Sequence, residues 1–268
     1  MKPNPNSWDK TSVSYNDWLE KSKLRLIFNQ KLKYEDYSLW WSTGLCNRDI
    51  SVNYDLFSKL DFAINNKHRI TKSELIKNTA YKRKSIIYQL TKLIKNFLLS
   101  ILFNIFSKIF YKKNNIKNGD INKNCFFSDY SNLVTDKDNC TDRMYGGGLP
   151  KIDKESFYII NFGGFKWNFF SRTPNINKKL KKIKNNYYVA ENYLNIKDIC
   201  SVYVSCIFSL FKLIIILRKK KYFIINKKDC SRILKPMLIE SFFGGIQQSL
   251  LMALAIKNIN TRVKFSNF

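Results

Sequence analysis

The chain has 268 residues, 45% of them hydrophobic and 15% aromatic, and this composition excludes a wholly disordered protein. Its 47 Lys and Arg residues outnumber 20 Asp and Glu residues, and the net charge of +27 predicts an anionic partner, either nucleic acid or a membrane surface. Only nine of the basic residues are Arg, the usual reader of base edges, so nucleic acid is the least favoured of these partners.

The metal-binding residue types are scattered, which predicts no metal site and no cofactor. The single histidine, His68, lies in a polar segment typical of a solvated loop or a helix start. The amino terminus has no apolar signal region, so we expect a cytoplasmic protein with reduced thiols. The cysteines form no CxxC pair and have no histidine at metal spacing; they are Cys46, Cys125, Cys140, Cys200, Cys206 and Cys230.

Residues 1–33 are predicted to be a polar lead-in with one short helix over residues 15–28, and residues 34–118 a helical region. Within that region, aromatic residues from Tyr37 to Trp41 and Leu45 have the spacing of one helix face, which ends near Gly44 and Asn47. Such aromatics serve either core packing or stacking on a ligand. Residues 54–64 predict a second amphipathic helix.

Residues 86–113 predict a long helix whose apolar residues fall within one arc of about 100°. Basic flanks and interrupting lysines favour a helix that lies on an anionic membrane surface over one that spans the bilayer. A core-facing helix of a soluble domain has the same pattern and stays open as the alternative. The candidate membrane-surface residues are Lys92, Lys95, Lys108, Leu98, Ile101, Leu102 and Ile105.

From residue 119 to residue 268, short apolar runs alternate with helical patterns, which predicts a Rossmann-like α/β domain with a mostly parallel sheet. The expected strands are residues 124–127, 156–162 and the segment "NNYYVAE", with residues 221–225 either a fourth strand or a helix end. Residues 196–218 predict a helix that is either buried or membrane-spanning. A last helix over residues 231–259 is expected to be interrupted at Pro236 and Gly244–Gly245.

The segment "FFSDYSNLVTDKDNCTDRMYGGGLPKI", residues 126–152, predicts the candidate ligand site. Ligands bind beyond the carboxyl ends of parallel strands, where a strand ending in "FFSDY" would present Asp129 and Tyr130. Glycines allow a backbone to approach a ligand closely. A solvated turn with capping acids is the alternative. The remaining candidate sugar- or phosphate-binding residues are Asp142, Arg143, Tyr145, Gly146 and Gly147.

Three stretches, "YSLWW", the segment just quoted and "ILKPMLIESFFGGIQQSLLMALAI", together resemble the amino-terminal half of bacterial surface-carbohydrate biosynthesis proteins. That family is glycosyltransferase-like, with a two-domain GT-B architecture. The resemblance covers roughly residues 34–260. It carries the family's loop residues onto Asp129, Asp142, Arg143, Tyr145, Gly146 and Pro150, although Met144 and the extra glycines depart from the plainer family pattern.

The resemblance implies an acceptor-side part of a glycosyltransferase-like protein, with a nucleotide-sugar and a glycan or lipid-linked acceptor as partners. The family's second half is absent from this chain, so we expect an incomplete α/β domain and no turnover by the chain alone. The alternative is a non-enzymatic basic protein of the membrane surface, and the third hypothesis is a nucleic-acid-binding protein. Either of the first two implies a location at the inner face of the cytoplasmic membrane.

Overall fold

The structure is a computed structural model with two compact units, Met1–Leu93 with Val202–Leu250, and Ile94–Ser201 with Leu251–Phe268. The division into three parts at residues 33 and 118 stays a prediction. The residues that the structure describes are 5–46, 54–65, 85–111, 125–129, 133–135, 140–142, 157–161, 178, 180–182 and 186–263.

Seven α-helices account for most of the described residues. They are α1 (Pro5–Lys21), α2 (Lys23–Lys31), α3 (Tyr54–Asn65), α4 (Ile86–Phe110), α5 (Ile196–Ile216), α6 (Ser231–Ser241) and α7 (Gly245–Val263). The strands are two to five residues long: β1 (Lys33–Tyr34), β2 (Tyr37–Ser38), β3 (Cys125–Asp129), β4 (Leu133–Thr135), β5 (Cys140–Asp142), β6 (Phe157–Asn161), β7 (Asn186–Val189), β8 (Ile224–Ile225) and β9 (Lys228–Asp229).

The predicted Rossmann-like, mostly parallel α/β fold is wrong, because the described chain is mostly helical and its strands form only small sheets. The GT-B assignment falls with it. Three short strands do form at about the predicted positions, but they build one small sheet beside helices of 19 to 25 residues. The alternation of strands and helices in the sequence suggested an α/β domain. The apolar helical runs are much longer than the strands, and they make the fold mostly helical.

In the first unit, the two helices α1 and α2 occupy most of Pro5–Lys31, where the sequence predicted one short helix over residues 15–28. Their apolar sides join an aromatic core in which Tyr15 packs edge-on against Phe57 with ring centroids 5.5 Å apart. Trp40 lies 5.3 Å from Phe28 in the same manner. The Tyr15 hydroxyl donates to the Leu45 carbonyl at 2.7 Å. Such aromatic pairs add to the stability gained from burying their area.

The predicted α-helix at residues 37–47 is also wrong. β1 and β2 form an antiparallel hairpin there, and Glu35 in its turn has a φ of 49°, a left-handed conformation that ends a regular helix. Short 3-10 helices follow at Leu39–Ser42 and Gly44–Cys46. Within them Trp40 is fully buried while Trp41 is exposed. The two tryptophans therefore face different environments.

In the second unit, β3, β6 and β7 form a three-stranded parallel sheet with β6 in the centre. Tyr158, Ile159 and Ile160 are consecutive and all buried, which is typical of a parallel strand covered on both faces. Asp129 and Asn161 are register partners at the carboxyl ends of β3 and β6. β4 and β5 form a separate antiparallel pair.

The carboxyl-terminal helices follow the sequence prediction with two differences. Pro236 lies inside α6 without ending it, and the break before α7 falls at residues 242–244. β8 and β9 form an antiparallel hairpin after a 3-10 helix at Lys220–Phe223, so residues 221–225 add no strand to the parallel sheet. Helices α3, α4 and α5 are confirmed.

Candidate functional site

Helix α4 exposes its apolar side along its whole length. Leu98 is 52% exposed and Ile109 is 68% exposed. At about 100° per residue these side chains share one continuous arc of the helix. The exposed members of this arc, which we call the α4 apolar face, are Ile87, Leu90, Ile94, Leu98, Leu102, Ile105 and Ile109.

The opposite side of α4 is buried although it carries several polar residues. Asn104 is only 2% exposed, and its amide donates to the carbonyl oxygens of Glu191 at 2.8 Å and Leu194 at 2.9 Å. In return the Asn192 amide donates to the Tyr111 carbonyl at 2.7 Å. The other buried polar residues of α4 are Gln89, Ser100 and Ser107. The buried side also carries Leu93, Leu99 and Phe103, so α4 docks through a mixed polar and apolar side and leaves a second, fully apolar side exposed.

The predicted lysines border this surface. On the helical wheel, exposed Lys95 and Lys108 lie at the two edges of the α4 apolar face, while half-buried Lys92 lies further round. Lysines at the edges can extend their apolar stems along an apolar surface and keep the ammonium groups in water. Among the predicted apolar residues, Leu98, Leu102 and Ile105 are exposed and Ile101 is half-buried.

Helix α5 has a similar exposed side, which contains two phenylalanines. Phe208 and Phe211 are each more than 60% exposed. Lys212 is exposed and lies at the edge of the same arc. The exposed apolar residues of this α5 apolar face are Val204, Ile207, Phe208, Phe211, Ile214 and Ile215.

Both helices are long and apolar enough to cross a membrane. An 18-residue window has a mean hydropathy of 1.6 within Ile87–Phe110 and of 2.3 within Ile196–Ile216. Helices α6 and α7 together pass the same test, as a pair bent by 48°. Scattered exposed apolar side chains are ordinary on a soluble protein, but continuous stripes on two helices indicate a contact surface.

The structure describes only part of the predicted sugar site. Asp129 lies at the carboxyl end of β3, as expected, and Asp142 ends β5 opposite Leu133. These two aspartates belong to different sheets. The remaining predicted ligand residues lie outside the described residues; they are Tyr130, Arg143, Tyr145, Gly146 and Gly147.

Sequence reasoning missed a buried polar turn directly after β7. The 3-10 helix Ala190–Tyr193 follows the carboxyl end of that strand, and its Glu191 is only 5% exposed. The Asn258 amide of α7 donates to the Tyr193 carbonyl at 2.8 Å. A Glu-Asn pair directly after the apolar run "YYVA" was the signal in the sequence. Together with Asp129 and Asn161, this turn marks the carboxyl edge of the parallel sheet, where loops of such sheets bind ligands.

Comparison with known proteins adds no family to this geometry, because no family model, no curated protein and no solved structure matches the chain. Within the described part of the chain, no group of three His, Cys, Asp or Glu residues could hold a metal ion.

Proposed function

We propose that the protein is a membrane-surface protein whose α4 and α5 apolar faces contact lipid. The observation that carries this proposal is the exposed α4 apolar face, on which Leu98, Leu102 and Ile105 stay in solvent while the other side of the helix is docked through Asn104. Exposed apolar area of this extent is unfavourable in water and favourable at the boundary between headgroups and acyl chains.

The charge spacing favours helices that lie on the membrane over helices that cross it. Only twelve residues separate Lys95 from Lys108 in α4, a length of about 18 Å at 1.5 Å per residue. Thirteen residues separate Asp198 from Lys212 in α5, or about 20 Å. The hydrocarbon core is about 30 Å thick, so a spanning helix would place charged groups inside it.

The net charge suggests which membrane the protein meets. A charge of +27 is attracted to the anionic lipids of the cytoplasmic leaflet, at about 1 kcal/mol for each lysine near the surface. We therefore place the protein at the inner face of the cytoplasmic membrane. No enzymatic step is required for this role.

A pair of matched double variants tests the apolar contact. Leu98→Ser with Leu102→Ser removes two side chains of the α4 apolar face, whereas Val13→Ser with Leu26→Ser removes two side chains of similar exposure on α1 and α2. In the proposed complex, both leucines insert partly into lipid. Their loss should therefore weaken binding to phosphatidylcholine vesicles about tenfold or more, which corresponds to about 1.4 kcal/mol. Vesicle flotation measures this partition.

The control pair should float as the unmodified protein does. Equal partition of both double variants would contradict the proposed contact through α4. Release of the vesicle-bound protein by alkaline carbonate is expected for a surface helix, and resistance to that wash would instead favour spanning helices.

The second candidate function is a carbohydrate-related one, a glycosyltransferase-like role in surface polysaccharide biosynthesis. Its support is the resemblance of residues 126–152, together with the adjacent positions of Asp129 and Asn161 at the carboxyl edge of parallel strands. Nucleotide-sugars and lipid-linked glycan acceptors would be its ligands, and a lipid-linked acceptor is compatible with a membrane-surface location.

Saturation-transfer NMR with UDP-glucose as the probe tests this second candidate. Asp129→Asn should abolish the transfer signal, because a carboxylate that accepts sugar hydroxyls becomes a weaker amide acceptor. Asp36→Asn, an exposed position in the β1–β2 turn, is the control and should retain the signal. A signal that is absent from the unmodified protein, or equal in both variants, would count against a nucleotide-sugar site at Asp129.

A further inference from the structure

A cleft of about 400 Å³ in the first unit is lined by three lysines. Lys21 comes from α1, Lys23 begins α2, and Lys221 lies in the 3-10 helix that follows α5. The only acidic side chain in the lining is Asp17, which forms a salt bridge with Lys21. The polar and aromatic side chains of the lining are Ser14, Trp18, Ser22, Tyr222 and Asn226.

Hydrogen bonds between distant parts of the chain fix the walls of this cleft. The Trp18 indole donates to the Tyr222 carbonyl at 3.1 Å. The Asn226 amide donates to the Ser14 hydroxyl at 2.7 Å. Asn226 and Lys227 have φ values of 47° and 64°, the positive pair that a two-residue hairpin turn requires, and this turn presents Asn226 to α1. The lysines are therefore arranged around a cleft that exists before any ligand arrives.

The charge of the cleft points to an anionic ligand. Three ammonium groups and one carboxylate leave a lining charge of +2, and Lys23 and Lys221 have no carboxylate partner among the described residues. Hydrogen bonding to Asp17 raises the pKa of Lys21, so that lysine stays charged at neutral pH. Lysine binds phosphate as a point charge, and serine, asparagine and tyrosine side chains supply additional hydrogen bonds to its oxygens. The N-terminus of α2 adds its partial positive charge at Lys23.

We propose that this cleft binds a phosphate group through Lys21, Lys23 and Lys221. The phosphate belongs either to the headgroup of an anionic phospholipid, whose phosphate charge no choline group neutralises, or to a soluble phosphate compound. The lipid source rests on the proposed function, since Lys221 follows α5 directly and would lie at headgroup level beside the α5 apolar face. The cleft itself was not indicated by any motif in the sequence, because Lys221 lies about 200 residues after Lys21 and Lys23 along the chain.

Two triple variants with equal loss of charge test the proposal. The cleft variant is Lys21→Gln, Lys23→Gln, Lys221→Gln. The control variant is Lys31→Gln, Lys33→Gln, Lys228→Gln, three exposed lysines of the same unit that do not line the cleft. Because both variants lose three positive charges, general attraction to an anionic surface falls equally in the two.

The first measurement is flotation with vesicles of phosphatidylcholine and phosphatidic acid at a ratio of about 4 to 1. The cleft variant should bind at least tenfold more weakly than the control, which is the change expected when one or more specific phosphate contacts are lost. Both variants should bind pure phosphatidylcholine vesicles as the unmodified protein does. That arm separates the cleft from the α4 contact, because the Leu98→Ser, Leu102→Ser variant alone should fail there.

The second measurement is broadening of the ³¹P resonance of inorganic phosphate by the detergent-solubilised protein. If the broadening is lost only in the cleft variant while both variants bind phosphatidic acid vesicles equally, the proposal holds with a soluble phosphate as the source. If the cleft and control variants are equal in both measurements, the proposal is overturned. The same conclusion follows if the unmodified protein shows neither phosphatidic acid dependence nor broadening.

Discussion

Helices α3 and α4 are both amphipathic in sequence, yet the structure treats their apolar sides in opposite ways. In α3, Leu56, Phe57 and Leu60 are buried in the first unit, where Phe57 packs against Tyr15. In α4, a continuous apolar side is exposed, and the buried side carries Asn104 and Ser107 together with Leu99 and Phe103. Amphipathic periodicity therefore locates a helix, but it does not say whether protein or lipid covers the apolar side.

The difference between the two helices follows the hydrogen bonds that each of them makes with the rest of the protein. Buried polar groups require partners, and Asn104 finds two carbonyl acceptors at the turn after β7. Once the side of α4 that carries Asn104 is docked in this way, the α4 apolar face on the other side points away from the protein. Helix α3 has the opposite orientation, because its apolar residues pack inward. The Thr11 hydroxyl of α1 donates a hydrogen bond to the Asp61 carboxylate of α3 at 2.8 Å.

The largest expected effect comes from comparing one buried and one exposed apolar residue. Phe57→Ala should reduce the free energy of unfolding by about 3–5 kcal/mol, because it leaves a cavity and removes the ring contact with Tyr15. Leu98→Ala should change it by less than about 0.5 kcal/mol in vesicle-free solution. Urea unfolding followed by circular dichroism measures both. A loss of more than 2 kcal/mol in Leu98→Ala would mean that the protein itself covers the α4 apolar face.

The next effect tests the buried polar side of α4. Asn104→Ala leaves the carbonyls of Glu191 and Leu194 without the amide that now donates to them, so we expect a loss of about 2–3 kcal/mol. Asn96→Ala, at a half-buried position two turns earlier, is the control and should cost less than about 1 kcal/mol. The same urea titrations apply. Equal losses for both asparagines would remove the argument that hydrogen bonding sets the orientation of α4.

The sequence predicted the positions of many elements, because those depend on local periodicity. Helices α3, α4 and α5 and the three parallel strands lie about where their apolar spacing indicates. The orientation of α4 could not be predicted in this way, since it depends on acceptors at Glu191 and Leu194, about 90 residues later in the chain. Two alternatives, a core-facing and a membrane-facing helix, have the same one-dimensional pattern.

The errors had specific physical sources. Tyr37, Trp40 and Leu45 have helical spacing, but Glu35 adopts a left-handed φ and a hairpin forms instead. Tertiary contacts of the tryptophan core override the periodicity there. Residues 126–152 have a distinctive glycine and aspartate content, whereas the cleft with Lys21, Lys23 and Lys221 is built from lysines that any solvated surface would contain. Sites assembled from distant, common residues leave little signal in a single sequence.

A smaller effect tests the core of the first unit through the ionisation of a buried thiol, that of Cys230, instead of through the volume of a side chain. Burial raises the pKa of the Cys230 thiol from its ordinary value of 9.0 to about 12. Between these values the unfolded chain releases the thiol proton and the folded chain keeps it, so stability falls as pH rises above 9. At pH 10 the buried thiol should lower the free energy of unfolding by about 1.4 kcal/mol relative to neutral pH.

Cys230→Ala should lack this contribution. The difference between the two proteins in urea titrations at pH 7.5 and pH 10 therefore isolates it from the tyrosines and lysines that titrate in both. If the difference in free energy of unfolding between the two proteins does not depend on pH, solvent reaches Cys230. The core of the first unit would then be less closed at that position than the structure indicates.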